Sequence, residues 1–526
     1  MPDIRHEWHY GARVMPCFAE RPSSIGAMFR EAVAADPDAI AVVEGARRTS
    51  YRELADTVDR VAANLVALGA RKGDRVALLI GSRTAFIELC LACGQIGVIQ
   101  VPMNVRSRKP EIEYLLTHSA SEILVYEADL EAQIPDAAAL PALRHRIVIG
   151  GAVAGVPSYD SLLAPAPPPP EIAIAEDDPF CLIYTSGTTG RPKGAVLTHV
   201  SLIHSCLNYE WAMDLRRGDC SIQAGPFSHV TGLVALTFSL FRVAGRVVIM
   251  PAFKARAFLE LASAERMTFA VMVPAMYNLC LLDPEFDRFD LSAWRVGGYG
   301  GAPMPEATVH KLAEKLPGLT LVNVYGATET SGPVVVMPRG EGVTRSAVIG
   351  RVLPCCDVRM MDDDGREVPA GASGELWIAG AMVVPGYWEN PTADATGFTH
   401  GYWRSGDIGS IDADGYVRVF DRKKDMINRG GYKIYSVEVE NVLSHHPDVV
   451  EAAVVGQSDP VLGERVHAFI VRRRPDLTRE DIRAFCAERL SNYKVPDHVT
   501  FQDDPLPRNA TGKLQKVELR KLVQAG

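Results

Sequence analysis

Hydrophobic and polar positions recur along the chain with a changing period, and the changes divide it into blocks. From Thr49 to about Tyr126, short apolar runs alternate with amphipathic stretches. Ser50-Tyr-Arg-Glu53 has the reciprocal Ser/Glu spacing that opens a helix, predicted to run to about Leu68. Asp74–Ile80, Val98–Val101 and Ser121–Tyr126 read as strands, with a helix through Glu88 and Cys93 and another opened by Pro110. Strands alternating with helices predict a parallel sheet covered on its faces. Pro165-Ala-Pro-Pro-Pro-Pro170 predicts a stiff linker. A second alternating block, Thr198 to about Val336, carries strands at Arg246–Met250, Phe269–Val273 and Leu319–Val324. From Ile349 to Val419 the rhythm shortens. Gly- and Asp-rich turns such as Asp363-Asp-Gly365 and Asp412-Ala-Asp-Gly415 predict a small β-barrel or distorted sheet. Beyond Lys424 the pattern is that of a compact α+β unit, with helices from Ser436 to about His445 and from Thr478 to Leu490. The first 24 residues carry no usable pattern.

Composition narrows the function classes. A chain of 526 residues, 47% hydrophobic and 23% charged, is long enough for two or more domains around a large core. Its net charge of −9 argues against a general nucleic-acid binder, whose footprint is basic. The opening Met1-Pro-Asp-Ile-Arg-His-Glu-Trp8 lacks the apolar core of a signal peptide, and the apolar stretch Leu233–Met250 is interrupted by Arg242 and Arg246. The ten cysteines are scattered, and most stand in apolar surroundings. Buried free thiols of a cytoplasmic protein are the expectation.

The densest chemical signal follows the apolar run Phe180-Cys-Leu-Ile183. In Tyr184-Thr-Ser-Gly-Thr-Thr-Gly-Arg-Pro-Lys-Gly194, seven of eleven residues are Gly, Ser or Thr, and an Arg and a Lys stand near the end. Glycines let successive backbone N–H groups face one hollow, and hydroxyls and the Lys193 ammonium add donors, which suits a polyphosphate. The glycine spacing is not the Walker pattern. The bland alternative is an exposed surface loop. The stretch resembles the phosphate-binding signature of the adenylate-forming superfamily, which includes acyl-CoA synthetases, peptide-synthetase adenylation domains and luciferases.

Further motifs extend the resemblance from about Ile25 to the end of the chain. Tyr325-Gly-Ala-Thr-Glu-Thr330 sets a carboxylate among hydroxyls at a strand's C-terminal end, a place suited to a hydrated Mg²⁺ near phosphate. The family match gives Glu329 the metal, Thr328 a phosphate contact and Tyr325 the adenine face, and puts Gly326 in both the cofactor site and the acyl pocket. Gly297-Gly-Tyr-Gly-Gly-Ala-Pro303 resembles the turn that wraps adenine and floors the acyl pocket, implicating Tyr299, Gly300, Gly301 and Ala302. A side chain at Gly300 or Gly301 is expected to obstruct a close backbone approach. Within Tyr402-Trp-Arg-Ser-Gly-Asp-Ile-Gly409, Asp407 matches the acceptor of both ribose hydroxyls. Asp421-Arg-Lys-Lys-Asp425 reads as a solvated linker by charge alone. By resemblance, Arg422 contacts ribose and Lys424 is the hinge. In Asn428-Arg-Gly-Gly-Tyr-Lys-Ile434, Gly430 and Gly431 match the lining of a pantetheine tunnel. His229, in Pro226-Phe-Ser-His-Val-Thr-Gly232, matches an aromatic gate of the acyl pocket. Leu506-Pro-Arg-Asn-Ala-Thr-Gly-Lys513 carries the catalytic lysine of the pattern.

The resemblance implies an α/β protein. It has a large N-terminal domain of two αβ-layered sheets plus a small β-barrel (1–423), then a small mobile α+β domain (424–526). It implies an ATP- and Mg²⁺-dependent acid–thiol ligase that makes acyl-AMP and passes the acyl group to CoA. Thr185, Ser186, Gly187, Thr188, Thr189, Gly190 and Lys193 would cradle phosphate, with Lys513, Glu329 and Thr185 as the catalytic set. The alternative acceptor is an acyl carrier protein. Members acting on malonate-like diacids carry an Arg in the strand before Tyr-Gly, whereas Leu321-Val-Asn-Val324 holds no cation. An aliphatic or aryl monocarboxylate is therefore the expected substrate. The spacing from Pro507 to Gly-Lys513 also resembles the target of lysine acetyltransferases that act on this superfamily.

Overall fold

The computed structural model describes residues 2–185, 191–508 and 514–524. The first alternating block forms a six-stranded sheet. Its order is Lys193–Thr198, Pro179–Thr185, Ile99–Pro102, Arg75–Leu79, Ile123–Glu127 and His145–Ile149. All neighbours are parallel except the first pair, which is antiparallel. The helix Tyr51–Ala67 begins as its sequence predicts. Ser50 Oγ accepts from the Glu53 backbone N–H, and Glu53 returns the bond to the Ser50 N–H.

The second block is divided between two sheets. Cys220–Gln223 pairs in parallel with Arg246–Ile249, which pairs in parallel with Ile40–Glu44, a strand from the far N-terminal part, and Arg47–Ser50 closes that four-stranded sheet. Phe269–Met272, Val296–Gly300 and Thr320–Ala327 are parallel neighbours. They run without a break into antiparallel Gly332–Val336, Gly350–Val352, Tyr416–Arg422, Tyr402–Ile411, Gly374–Gly380 and Cys356–Met361. The short strands of 349–419 are thus hydrogen-bonded onto the parallel layer. The last unit pairs Tyr432–Ile434, Ile427–Arg429, Gly463–Arg472 and Val449–Asp459, with His498–Gln502 added in parallel, and has its own apolar core around Ile427, Val454 and Ile470. No helix among the described residues is long and apolar enough to cross a membrane.

The first residues, without pattern in sequence, form an antiparallel hairpin of Ile4–His9 and Arg13–Phe18, turned by Tyr10 and Gly11 at φ of 54° and 66°. A helix of the large unit, His199–Met213, pins it. His204 Nε2 accepts from the Phe18 N–H at 3.1 Å, while Nδ1 donates to the Val200 carbonyl at 2.8 Å. The neutral ring satisfies both partners. Adding a proton to Nε2 would set N–H against N–H. His199 Nδ1 likewise accepts from the Ile25 N–H.

Burial pushes both imidazoles down from 6.5 to about 4. The unfolded chain therefore binds these protons first as pH falls. Their contribution is complete above about pH 6.5 and is lost on descending to about pH 4, up to about 3 kcal/mol for each ring. Denaturant titrations at pH 7.5, 5.5 and 4.5 should show falling stability, and His204→Gln should make the slope shallower. A flat profile in the parent protein would contradict this assignment.

Candidate active site

The strand Thr320–Ala327 ends in a short helical turn, Thr328–Thr330, and two buried carboxylates flank this point. The first is Asp407, on Tyr402–Ile411. Tyr325, one residue before Gly326, donates its hydroxyl to Asp407 Oδ2 at 2.6 Å. Strand register sets Asp407 opposite Arg422, whose Nε lies 3.3 Å from Oδ1. Burial, then the Asp407 charge, holds the Tyr325 phenol well above its ordinary range, so it stays a donor. Sequence reasoning named all three residues, and the strands bring them into one cluster. The Arg422 side chain is 45% exposed and Asp407 only 10%, so the pair faces solvent from its Arg422 side.

The second carboxylate is Glu329, buried to 8% exposure. Its Oε1 accepts from Tyr387 Oη at 2.9 Å and from Thr185 Oγ1 at 3.4 Å. Among the described residues these contacts leave Oε2 open to another partner. Lys193 Nζ stands 5.2 Å from the centre of the Tyr387 ring. Thr185, Lys193 and Glu329 therefore converge, as the sequence pattern proposed. Carboxylate and hydroxyl oxygens are hard donors of the kind that suit Mg²⁺. Residues 186–190 lie outside the described residues.

Tyr387 was missed in the sequence reading. Its signal was the aromatic and glycine cluster Pro385-Gly-Tyr-Trp388, in a segment without regular periodicity. That segment is tied to the strand after the phosphate-loop stretch. The Val196 N–H donates to the Gly386 carbonyl, and the Trp388 N–H donates to the Gly194 carbonyl. The Val384 N–H donates to the carbonyl of Glu329 itself, and the Tyr387 N–H to Asp394 Oδ1.

The glycine-rich turn sits at the end of Val296–Gly300. A Cβ on Gly300 would come 2.2 Å from the Val324 carbonyl oxygen, and one on Gly326 would come 2.0 Å from that of Gly332. The crowding is with neighbouring backbone of the same sheet. Gly301 has a φ of 76°, and Ala302 beside it is exposed. Tyr299 is buried in an apolar core with Tyr277 and Trp294, and its strand register sets it opposite Asn323. His229 precedes a wide helical run, Thr231–Phe238, where the hydroxyls of Thr237 and of Ser239, just after the run, bond carbonyls five residues back. Burial holds the His229 imidazole below its ordinary range, so it is neutral at pH 7.

The junction to the last unit is made by Asp421, whose carboxylate accepts from the Ser436 N–H and hydroxyl at 2.5 and 2.6 Å. Arg520 donates to the Lys424 carbonyl and to Asp425. Gly430 and Gly431 turn at φ of 60° and 89°, and a Cβ on Gly431 would meet open space. Lys513 lies outside the described residues.

Residues 29–388 match the family described as AMP-binding enzyme, and residues 438–513 match its C-terminal domain. The chain is 36% identical over 486 residues to a feruloyl-CoA synthase of an Amycolatopsis species, covering 92% of this chain and 96% of the relative. It is 34% identical over 508 residues to the long-chain-fatty-acid–CoA ligase FadD13 of Mycobacterium tuberculosis, covering 95% and 99%. Among solved structures, the anthranilate CoA ligase AuaEII with anthranoyl-AMP superposes with a TM-score of 0.89 at 25% identity, covering 96% of this chain and 98% of that one.

The backbone crowding at Gly326 is testable by itself. Gly326→Ala should cost about 1–3 kcal/mol, since the carbonyl it meets is held in a strand. Gly225→Ala, where a Cβ meets nothing within 4 Å, should change stability little. Equal denaturation midpoints for the two variants would refute the crowding.

Proposed function

The chain belongs to the AMP-binding enzyme family, and we propose a division of its chemistry among the clustered residues. It is an acid–CoA ligase that works through an acyl-adenylate. The observation supporting the assignment most directly is the pair of buried carboxylates flanking one strand end, each held by a tyrosine hydroxyl.

In the first step a substrate carboxylate oxygen attacks the α-phosphorus of ATP. An acyl O–P bond forms, the bond to the bridging oxygen breaks, and pyrophosphate leaves. Asp407 accepts from the ribose hydroxyls, with Arg422 beside it. Tyr325, Gly326, Gly300, Gly301 and Ala302 frame adenine. Thr185 to Gly190 and Lys193 supply donors to the departing phosphates, and Thr328 touches the α-phosphate. Glu329 would hold Mg²⁺, which when bound neutralises charge on the phosphates. Lys513 bridges the carboxylate and the α-phosphate as charge develops. Such catalysis is mainly positioning and electrostatics.

In the second step the 424–526 unit turns about Lys424, carries Lys513 away and offers the Gly430–Gly431 face. The CoA thiolate attacks the acyl carbonyl, and the acyl–AMP bond breaks. The open space beside Gly431 supports a thin thiol arm there. Neutral His229, Tyr299, Gly300 and Gly326 form an acyl pocket without a cation. We assign it an aryl or aliphatic monocarboxylate. The cytoplasmic location and an acetyltransferase acting on Lys513 rest on the sequence alone.

Two half-reaction assays test this division. Lys513→Ala should lower acyl-AMP formation about 10²–10³-fold and spare thioester formation from supplied acyl-AMP. Gly431→Leu should do the reverse and accumulate acyl-AMP. Equal loss in both half-reactions for either variant would defeat the two-step assignment. A pyrophosphate-release panel, with and without CoA, should favour benzoate-like or octanoate-like acids over malonate and succinate. The opposite ranking would exclude the pocket assignment.

A further inference from the structure

The hairpin of residues 4–18 lies outside the stretch matched by the family, 29–388, yet it reaches the segment with which that match ends. Its contact is Arg13. Nη1 donates to the Val384 carbonyl at 2.9 Å and Nη2 to the Pro385 carbonyl at 2.8 Å. The guanidinium also lies 5.5 Å from the Tyr10 ring centre and 5.8 Å from that of Phe398. Phe398 in turn meets the Tyr387 ring edge-on, with centres 5.5 Å apart.

One guanidinium therefore grips the backbone of 384–385 and backs the ring that packs on Tyr387. Val384 is fully buried, so its carbonyl depends on a protein donor. The other end of the hairpin turn is equally fixed. Tyr10 Oη bonds Thr198 Oγ1 at 2.8 Å, and the Tyr10 N–H and His9 Nδ1 bond the Asp177 carboxylate at 2.7 and 2.6 Å. Asp177 and Thr198 flank the two strands that carry the phosphate loop. The hairpin thus joins the base of those strands to the segment bearing Tyr387.

We propose that Arg13 is a positioning residue for the metal-binding carboxylate: by clasping 384–385 and Phe398 it holds the Tyr387 hydroxyl on Glu329 Oε1. The assignment rests on the reading of Glu329 as the metal carboxylate. With the Tyr387 bond fixed on Oε1, Oε2 is presented in one direction. Without Arg13, two carbonyls lose a donor, and the segment can relax away from Glu329.

The test is Mn²⁺ binding, read by electron paramagnetic resonance, in the full chain with α,β-methylene-ATP, so that no turnover enters. Tyr387→Phe should weaken Mn²⁺ about tenfold and Arg13→Ala at least about threefold. Arg13→Ala should add nothing in a Tyr387→Phe background, because both act through one bond. Arg13→Lys, which keeps the charge but loses the two-carbonyl fork, should be intermediate. It carries the comparison if Arg13→Ala does not fold. Val14→Ala, on the exposed face of the same hairpin, should bind Mn²⁺ normally. Normal Mn²⁺ affinity in Arg13→Ala with a weakened Tyr387→Phe overturns the inference and leaves the Glu329 reading standing. Normal affinity in Tyr387→Phe also overturns the inference, whereas normal affinity in Glu329→Gln overturns the Glu329 reading. A loss in Val14→Ala equal to that in Arg13→Ala, or full additivity in the double variant, likewise overturns the inference.

Discussion

A carboxylate taken out of water must be given partners, and around the end of one strand this fold does so twice. Asp407 receives the Tyr325 hydroxyl and lies against Arg422. Glu329 receives the Tyr387 hydroxyl and faces Thr185. Without such partners, each buried carboxylate would lose the hydrogen bonds that water gave it. Each tyrosine occupies one oxygen, so each carboxylate is oriented. The continuity of the parallel layer with the antiparallel strands of 350–422 sets Tyr325 of one part beside Asp407 of the other.

The parts legible in the sequence are those specified locally. The capping pair Ser50 and Glu53 and the apolar strand before Tyr184 each depend on near neighbours, and each stands where its pattern predicts, whereas Gly297 to Gly300, expected in a turn, are strand. Sheet partnership was not legible in the same way. Ile40–Glu44 pairs with Arg246–Ile249, some 200 residues on, and no local signal names that partner. The N-terminal hairpin escaped because its strands mix exposed Trp8 and Val14 with buried Cys17 and Phe18, leaving no clean alternation. Tyr387 escaped for a different reason. Its segment pairs by a single bridge to Ala195 rather than by a ladder, so it has no period to detect.

At Gly300 and Gly326 the need for glycine has a cause within the sheet, whereas a Cβ on Gly301 would meet only Val273 Cγ1 at 3.6 Å. Glycine is required at the first two because strand backbones approach one another, as the Val324 and Gly332 carbonyls demonstrate. At the junction to the last unit, Asp421 is buried and holds the start of Ser436–Ser444, while Arg422, Lys423 and Lys424 immediately after it are exposed.

The central claim is that the two buried carboxylates do separate work, one for the nucleoside and one for the metal. Nucleotide affinity, measured by calorimetry with α,β-methylene-ATP in the presence and absence of Mg²⁺, separates them most directly. Asp407→Asn should weaken binding about 10–100-fold under both conditions, since charge-assisted bonds to hydroxyls are lost whether or not metal is present. Glu329→Gln should bind as the parent does without Mg²⁺ and lose only the gain that Mg²⁺ brings. Metal-independent loss in Glu329→Gln, or unchanged affinity in Asp407→Asn, would contradict the account.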